Sequence, residues 1–224
     1  PDVYEGAPTS ITAFFAIVPK LAATALIFRF CLEPFAKFHF EWIQVIFFLS
    51  VASMFLGGIA AIAQKNIKRL LAYSSIGHVG YVLIALVSAS DQGLKSASIY
   101  MSIYLVMNIA VFSIILSLKK SNSYVEKISE LNGLSKSNPV ISVCLAIIML
   151  SMAGIPPFIG FFGKFYIFIA AVESQLYLLA VLGVLASVIS AFYYLRIIKG
   201  MYFDDKKDSE IFEFRISSEA KVIL

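Results

Sequence analysis

Residues 149–172 form a stretch of membrane length that is apolar almost throughout, yet it is interrupted by Gly154-Ile155-Pro156-Pro157 and carries one cation, Lys164. Proline offers no backbone donor and collides with the carbonyl four residues back, so two in succession predict a broken helix rather than a bent one. Within a bilayer this is a severe constraint. Unpaired peptide groups are costly in hydrocarbon, and irregular backbone persists there only against protein or a water-filled cavity. Lys164 lies one to two turns beyond the break, and eight uncharged residues separate it from Glu173. Either it snorkels to the interface beside a packing kink or it is held in the interior, and the long uncharged run favours the interior.

The rest of the chain is built to match. Hydrophobic residues make up 60% of it and charged residues 14%, with a mean hydropathy of +0.87, whereas a soluble domain carries about 25% charged residues. The expected fold class is an all-α membrane protein with six transmembrane helices in one domain over 1–203. The spans are read at about 9–30, 42–63, 70–89, 96–118, 139–172 (discontinuous at Gly154–Pro157) and 175–198. Because successive spans alternate sides, the first turn shares its side with ten cations: Lys65, Lys68, Arg69, Lys119, Lys120, Lys127, Lys136, Lys199, Lys206 and Lys207. The opposite side has three, Arg29, Lys37 and Lys95. The positive-inside rule therefore places the 64–69 and 119–138 loops in the cytoplasm, or in the matrix of an organelle. The net charge of +4 is a topology signal, and no nucleic-acid partner is implied.

Several local expectations follow. Residues 1–8 read as a turn, with Thr9 or Ser10 capping the first span. His39 is an interfacial loop residue, and Cys31 and Cys144 are small core residues. Val125, Ile128, Leu131 and Leu134 recur every three residues and predict a surface helix on the membrane over about 124–133, closed near Gly133. Tyr193, Tyr194 and Arg196 are assigned to an interface. Residues 204–224 are a polar tail or a loop toward a further span, and the start at Pro1 without methionine reads as a fragment of a longer protein.

The candidate chemistry is sparse and acid–base in kind. Lys20 falls about a dozen residues into the first span, so Lys20 and Lys164 are the two cations expected at depth, neither with an acid four residues away. Buried lysines can exchange protons near neutral pH, as a proton relay requires. His78, flanked by Gly77 and Gly80, is either a hydrogen-bonded core residue or a station between them. Ser75, Asn108 and neighbouring tyrosines supply polar groups that order water along such a path. Paired cysteines for iron–sulfur clusters, a glycine-rich phosphate loop and metal-ligand spacing are all lacking from the sequence.

Three stretches, PDVYEGAP, QKNIKRLLAYSSIGHVGYVLIAL and LSMAGIPPFIGFFGKFYIF, resemble the N-subunit family of proton-translocating NADH-quinone oxidoreductase, the antiporter-like membrane subunits of respiratory complex I. Motif positions recur in order from Pro1 to about Lys199. The resemblance implies part of a fourteen-helix antiporter-like fold, with this chain as its eighth to thirteenth helices. It further implies that Lys20, in FFAIVPKLAATA, passes protons toward Lys164, in GFFGKF, on the broken helix. His78 matches the family pattern SSIxHxGY, with Gly154, Pro156 and Pro157 forming the break and Ser75 and Asn108 lining the path. Pro19 departs from the family, where a small polar residue precedes the lysine. By elimination of its backbone donor it removes the hydrogen bond to the Phe15 carbonyl. The same resemblance puts the chain in a bacterial inner membrane among other complex I membrane subunits. It implies no cofactor in this chain, with NADH, FMN, iron–sulfur clusters and quinone elsewhere in the complex. A cation/proton antiporter subunit and a structural membrane subunit without a proton path are the alternative readings.

Overall fold

Helices dominate the computed structural model, which describes residues 1–120, 123–204 and 213–214. Pro1–Pro8 contain a short helix, α1 (Asp2–Gly6), followed by α2 (Thr9–Leu32). A 3-10 turn at Ala36–Phe38 leads to α3 (His39–Ile62), and four residues later α4 (Ile67–Val87) returns. Then come α5 (Asp91–Ser117), a loop region, the short α6 (Leu134–Ser137), α7 (Pro139–Ala153), α8 (Ile159–Glu173) and α9 (Tyr177–Phe203). Among the described residues, α2, α3, α4, α5 and α9 are long and apolar enough to cross a membrane. At 1.5 Å per residue, the fifteen residues each of α7 and α8 reach only about 22 Å, short of a hydrocarbon core of about 30 Å. The two together complete the sixth crossing.

Helix α4 is the axis of the bundle. Of its strongest apolar window 83% is buried, against 22% for α2, 33% for α3 and 39% for α9, so α4 is sheltered by protein while the others present Phe14, Leu26, Phe48 and Val188 outward. A Cβ on Gly57 of α3 would come within 2.5 Å of the Gly77 nitrogen, and one on Gly80 within 2.9 Å of the Ser50 carbonyl oxygen. Small residues thus bring the α3 and α4 backbones together. Ser50 Oγ donates to the Gly80 carbonyl at 2.8 Å across this seam.

The loops of one side are tied into a single cap. Lys68 Nζ bonds Glu126 at 3.0 Å and the Ala7 carbonyl at 3.2 Å, while Arg69 pairs with Glu5 at 3.0 Å and Asp2 at 3.2 Å. The Ile67 amide donates to Glu126 and the Ile128 amide to Lys65. Arg196 donates to the carbonyls of Ile62 and Gln64 at 2.6 and 2.8 Å. The first turn, the 64–69 loop, the stretch 126–128 and the Arg196 end of α9 therefore lie together at one end of the bundle.

Several local expectations are corrected. The 124–133 surface helix is replaced by short antiparallel strands, β1 (Leu118–Lys120), β2 (Ser123–Tyr124) and β3 (Glu213–Phe214), in the order β2-β1-β3, and by a 3-10 turn at Ile128–Leu131. Val125, Leu131 and Leu134 are buried against the bundle ends, so their periodicity anchors a cap in protein rather than a helix in lipid. Pro8 occupies the N-cap of α2, with no side-chain cap from Thr9 or Ser10. His39 opens α3, and Cys144 is exposed whereas Cys31 is buried. Tyr193 and Tyr194 are fully buried, because α9 continues to Phe203 and places them about 14 Å from its end. Most of the 204–224 tail lies outside the described residues.

Candidate functional site

The break has a defined geometry. Helix α7 ends at Ala153, and Gly154 takes a left-handed φ of 83°, a conformation that closes helices and favours glycine. Helix α8 resumes at Ile159 after Pro156 and Pro157. A helix terminus leaves carbonyls unpaired and carries partial negative charge, so a cation belongs there. Lys164 supplies it: Nζ donates to the Ala153 carbonyl at 2.9 Å and to Ser187 Oγ of α9 at 3.0 Å. Its ammonium lies 4.8 Å from the Tyr81 ring centroid. The side chain, 3% exposed, therefore returns to the break instead of reaching for the interface.

Two glycines and one serine fit the broken helix to its neighbours. A Cβ on Gly154 would approach Lys164 Cδ to 2.9 Å, so the lysine lies directly over that glycine. Gly163, the residue before Lys164, lets the Tyr100 ring of α5 close on α8, since a Cβ there would come within 2.9 Å of Cδ2. Ser151 Oγ accepts the Gly160 amide at 3.0 Å, binding the first turn of α8 to the last turn of α7.

His78 occupies the centre of α4 with both ring nitrogens engaged. Nδ1 is 2.6 Å from Tyr100 Oη and Nε2 3.1 Å from Tyr194 Oη. Tyr194 Oη also bonds Ser74 Oγ. A neutral imidazole donates from one nitrogen and accepts at the other, so one tyrosine accepts from His78 while the other donates to it. Tyr104 packs its ring 5.0 Å from His78, and its hydroxyl is buried with no hydrogen-bond partner among the described residues. Asn108 Nδ2 itself donates to the Tyr104 carbonyl at 2.8 Å, and Ser75 Oγ to the Ala72 carbonyl at 2.5 Å. A cavity of about 10 Å³ lined by Ser74, His78, Tyr81, Ser190 and Tyr193 is close to the room one water requires.

Lys20 stands apart from this cluster. Its Nζ is buried with no hydrogen-bond partner among the described residues, and it lies 5.1 Å from the Tyr4 ring centroid. The structure thus gathers His78, Ser75, Asn108 and Lys164 in one buried region and leaves Lys20 on its flank. Sequence reasoning missed Tyr100, Tyr194, Tyr81 and Ser187 as individual partners; the i, i+3 and i+4 positions facing His78 and Lys164 were the available signal. No three His, Cys, Asp or Glu side chains come together as a metal site among the described residues.

A buried lysine capping a broken helix, beside a polar core inside membrane-length helices, defines a polytopic membrane protein with a buried acid–base site. The family described as NADH:quinone oxidoreductase/Mrp antiporter, TM, matches residues 1–190, and the chain belongs to that family. NADH-quinone oxidoreductase subunit N of Pelagibacter ubique is 56% identical over 209 residues, covering 93% of this chain and 44% of that protein. Subunit N of Rhodospirillum rubrum is 56% identical over 205 residues, covering 92% and 42%. The chain accordingly spans less than half the length of the curated relatives it matches. A chain of respiratory complex I from Thermus thermophilus with bound aureothin superposes with a TM-score of 0.82 at 31% identity, over 100% of this chain and 48% of that one. Bacterial relatives and several transmembrane helices describe a multi-pass protein of the bacterial inner membrane.

Proposed function

We propose that this chain translocates protons within the membrane arm of an NADH-quinone oxidoreductase, among other membrane subunits, while electrons pass from NADH to quinone elsewhere. The similarity to subunit N of two bacteria supports the assembly. The observation that carries the chemistry is His78, bonded through both nitrogens to tyrosine hydroxyls and sharing Tyr81 as a neighbour with Lys164. A proton received at one nitrogen allows release from the other, with the hydroxyls of Tyr100 and Tyr194 rotating to reset donor and acceptor. Tyr104 and Asn108 extend the polar surroundings of His78, and Tyr100 and Tyr81 lead toward Lys164. Lys164 is the terminal station, because Ala153 and Ser187 hold its nitrogen in place in either charge state.

In this reading the chain has no redox site of its own; FMN, iron–sulfur clusters and quinone belong to other subunits. The break at Gly154, Pro156 and Pro157 exists to present the Ala153 carbonyl at depth. The test is Lys164→Ala and Lys20→Ala in the fully assembled complex. Both should lower proton pumping and coupled quinone reduction while NADH oxidation by an artificial acceptor continues. A normal proton-to-electron ratio in both would overturn the relay and leave a structural role.

A further inference from the structure

Pro19 has no amide hydrogen, so the Phe15 carbonyl four residues earlier loses its helical donor at membrane depth. That acceptor is taken. Tyr4 Oη donates to the Phe15 oxygen at 2.8 Å, and the same ring lies 5.1 Å from the otherwise unpartnered Lys20 Nζ. One side chain thereby fills the defect that Pro19 creates and offers its negative π-face to the ammonium on the next residue.

Tyr4 is not held there by α1 alone, since five residues are too few for a helix stable in isolation. Thr12 Oγ1 donates to the Tyr4 carbonyl at 2.9 Å. Arg69, at the start of α4, grips Glu5 and Asp2 on either side of Tyr4, and Lys68 bonds the Ala7 carbonyl. We propose that Tyr4 is a positioning residue for Lys20, its hydroxyl satisfying the Phe15 carbonyl and its ring seating the ammonium, with the Arg69 ion pairs fixing both. This inference rests on the reading of Lys20 as a proton station and adds the group that places it.

The two functions of Tyr4 separate by substitution. In vesicles carrying the assembled complex, Tyr4→Phe keeps the ring and loses the hydroxyl, and Tyr4→Leu loses both. Pumping should fall by about twofold to tenfold in Tyr4→Phe, the effect of one lost hydrogen bond, and by a further factor of about two to thirty in Tyr4→Leu, the span of a cation–π contact from exposed to desolvated sites. Pro19→Ala restores the amide to Phe15. Tyr4→Phe combined with Pro19→Ala should therefore pump like Pro19→Ala alone, whereas Tyr4→Leu combined with Pro19→Ala should stay impaired. Tyr4→Trp, which keeps a cation-binding ring, should regain activity in the Pro19→Ala background; because all these variants alter α1 alike, a failure of folding would not follow ring chemistry. Equal recovery of the Leu and Phe double variants, or normal pumping by Tyr4→Leu, overturns the inference. If Lys20→Ala is defective in the same vesicles, only the inference falls; if Lys20→Ala also pumps normally, the reading of Lys20 falls with it.

Discussion

The two buried lysines differ in almost everything but depth. Lys164 is bonded to a helix-terminal carbonyl and a serine hydroxyl and packs on Tyr81, whereas Lys20 has the Tyr4 ring and no hydrogen-bond partner among the described residues. An ammonium whose hydrogens are directed to fixed acceptors is expensive to remove, because the acceptors remain buried. An ammonium held by a ring face leaves behind only an apolar surface. In the proposed relay the pair supplies unequal sites: one that keeps its place through charging and discharging, and one whose hold depends on charge alone. Breaking a helix supplies the first kind, and substituting proline within a helix, with tyrosine to mend it, supplies the second.

The comparison is most directly broken by paired replacements with methionine, which keeps volume and removes charge. Lys164→Met should destabilise the folded chain by about 1–3 kcal/mol through the lost bonds to the Ala153 carbonyl and Ser187, the carbonyl keeping only a longer 3.4 Å bond from Ser187. Lys20→Met should be neutral or stabilising, because an unpartnered buried charge disappears. Denaturation midpoints in detergent read the difference, and equal losses would show that the two sites are held alike. Lys164→Arg should also stop pumping despite retaining charge, since guanidinium does not release its proton at accessible pH.

A somewhat smaller effect is expected from Gly154→Ala. Its new Cβ would crowd Lys164 Cδ at 2.9 Å and occupy a φ of 83°, a conformation costing about 1–2 kcal/mol for a non-glycine residue. Pumping should fall with normal assembly, and an unchanged rate would mean that Lys164 tolerates displacement. Ser187→Ala, which removes the bond accepted from Lys164 and the 3.4 Å bond donated to the Ala153 carbonyl, should be milder still, about 1 kcal/mol, because Lys164 keeps its own bond to Ala153; the stability curve and pumping rate of that variant provide the check. Single cysteines at the exposed Lys65 and Ser129 should leave activity unchanged and react with an impermeant reagent from the cytoplasmic side. Labelling from the periplasm would invert the topology and exchange the sides from which the two lysines are reached.

How much of this was legible varies with the kind of signal. The break and Lys164 were readable because proline chemistry is local and a lone cation in an apolar run stands out. Lys20 and His78 were readable for the same reason. The partners were not, since Tyr100, Tyr194, Tyr81 and Ser187 become partners only when α5, α4 and α9 acquire particular rotations about their axes. Tyr193 and Tyr194 were misplaced because a tyrosine near the end of an apolar run looks alike in an interfacial belt and in a core. The missing fact was five further residues of helix, to Phe203. The Phe15 carbonyl was identifiable as an unmet acceptor from Pro19 alone, but its donor lies on a separate helix.

The seam between α3 and α4 has a consequence for how the chain is made. Helix α3, the most apolar crossing with a hydropathy of 2.4, immediately precedes α4, the least apolar at 1.8, and four residues join them. The glycines that bring the two backbones into contact, with the Ser50 bond to Gly80, make them a close-packed hairpin, while the His78 side of α4 faces Tyr100 of α5 and Tyr194 of α9. During synthesis α4 is thus expected to enter the bilayer as the second limb of a hairpin, carried by its neighbour's greasiness rather than its own. The imidazole of His78, whose hydroxyl partners lie on α5 and α9, meets them only once those later helices have entered.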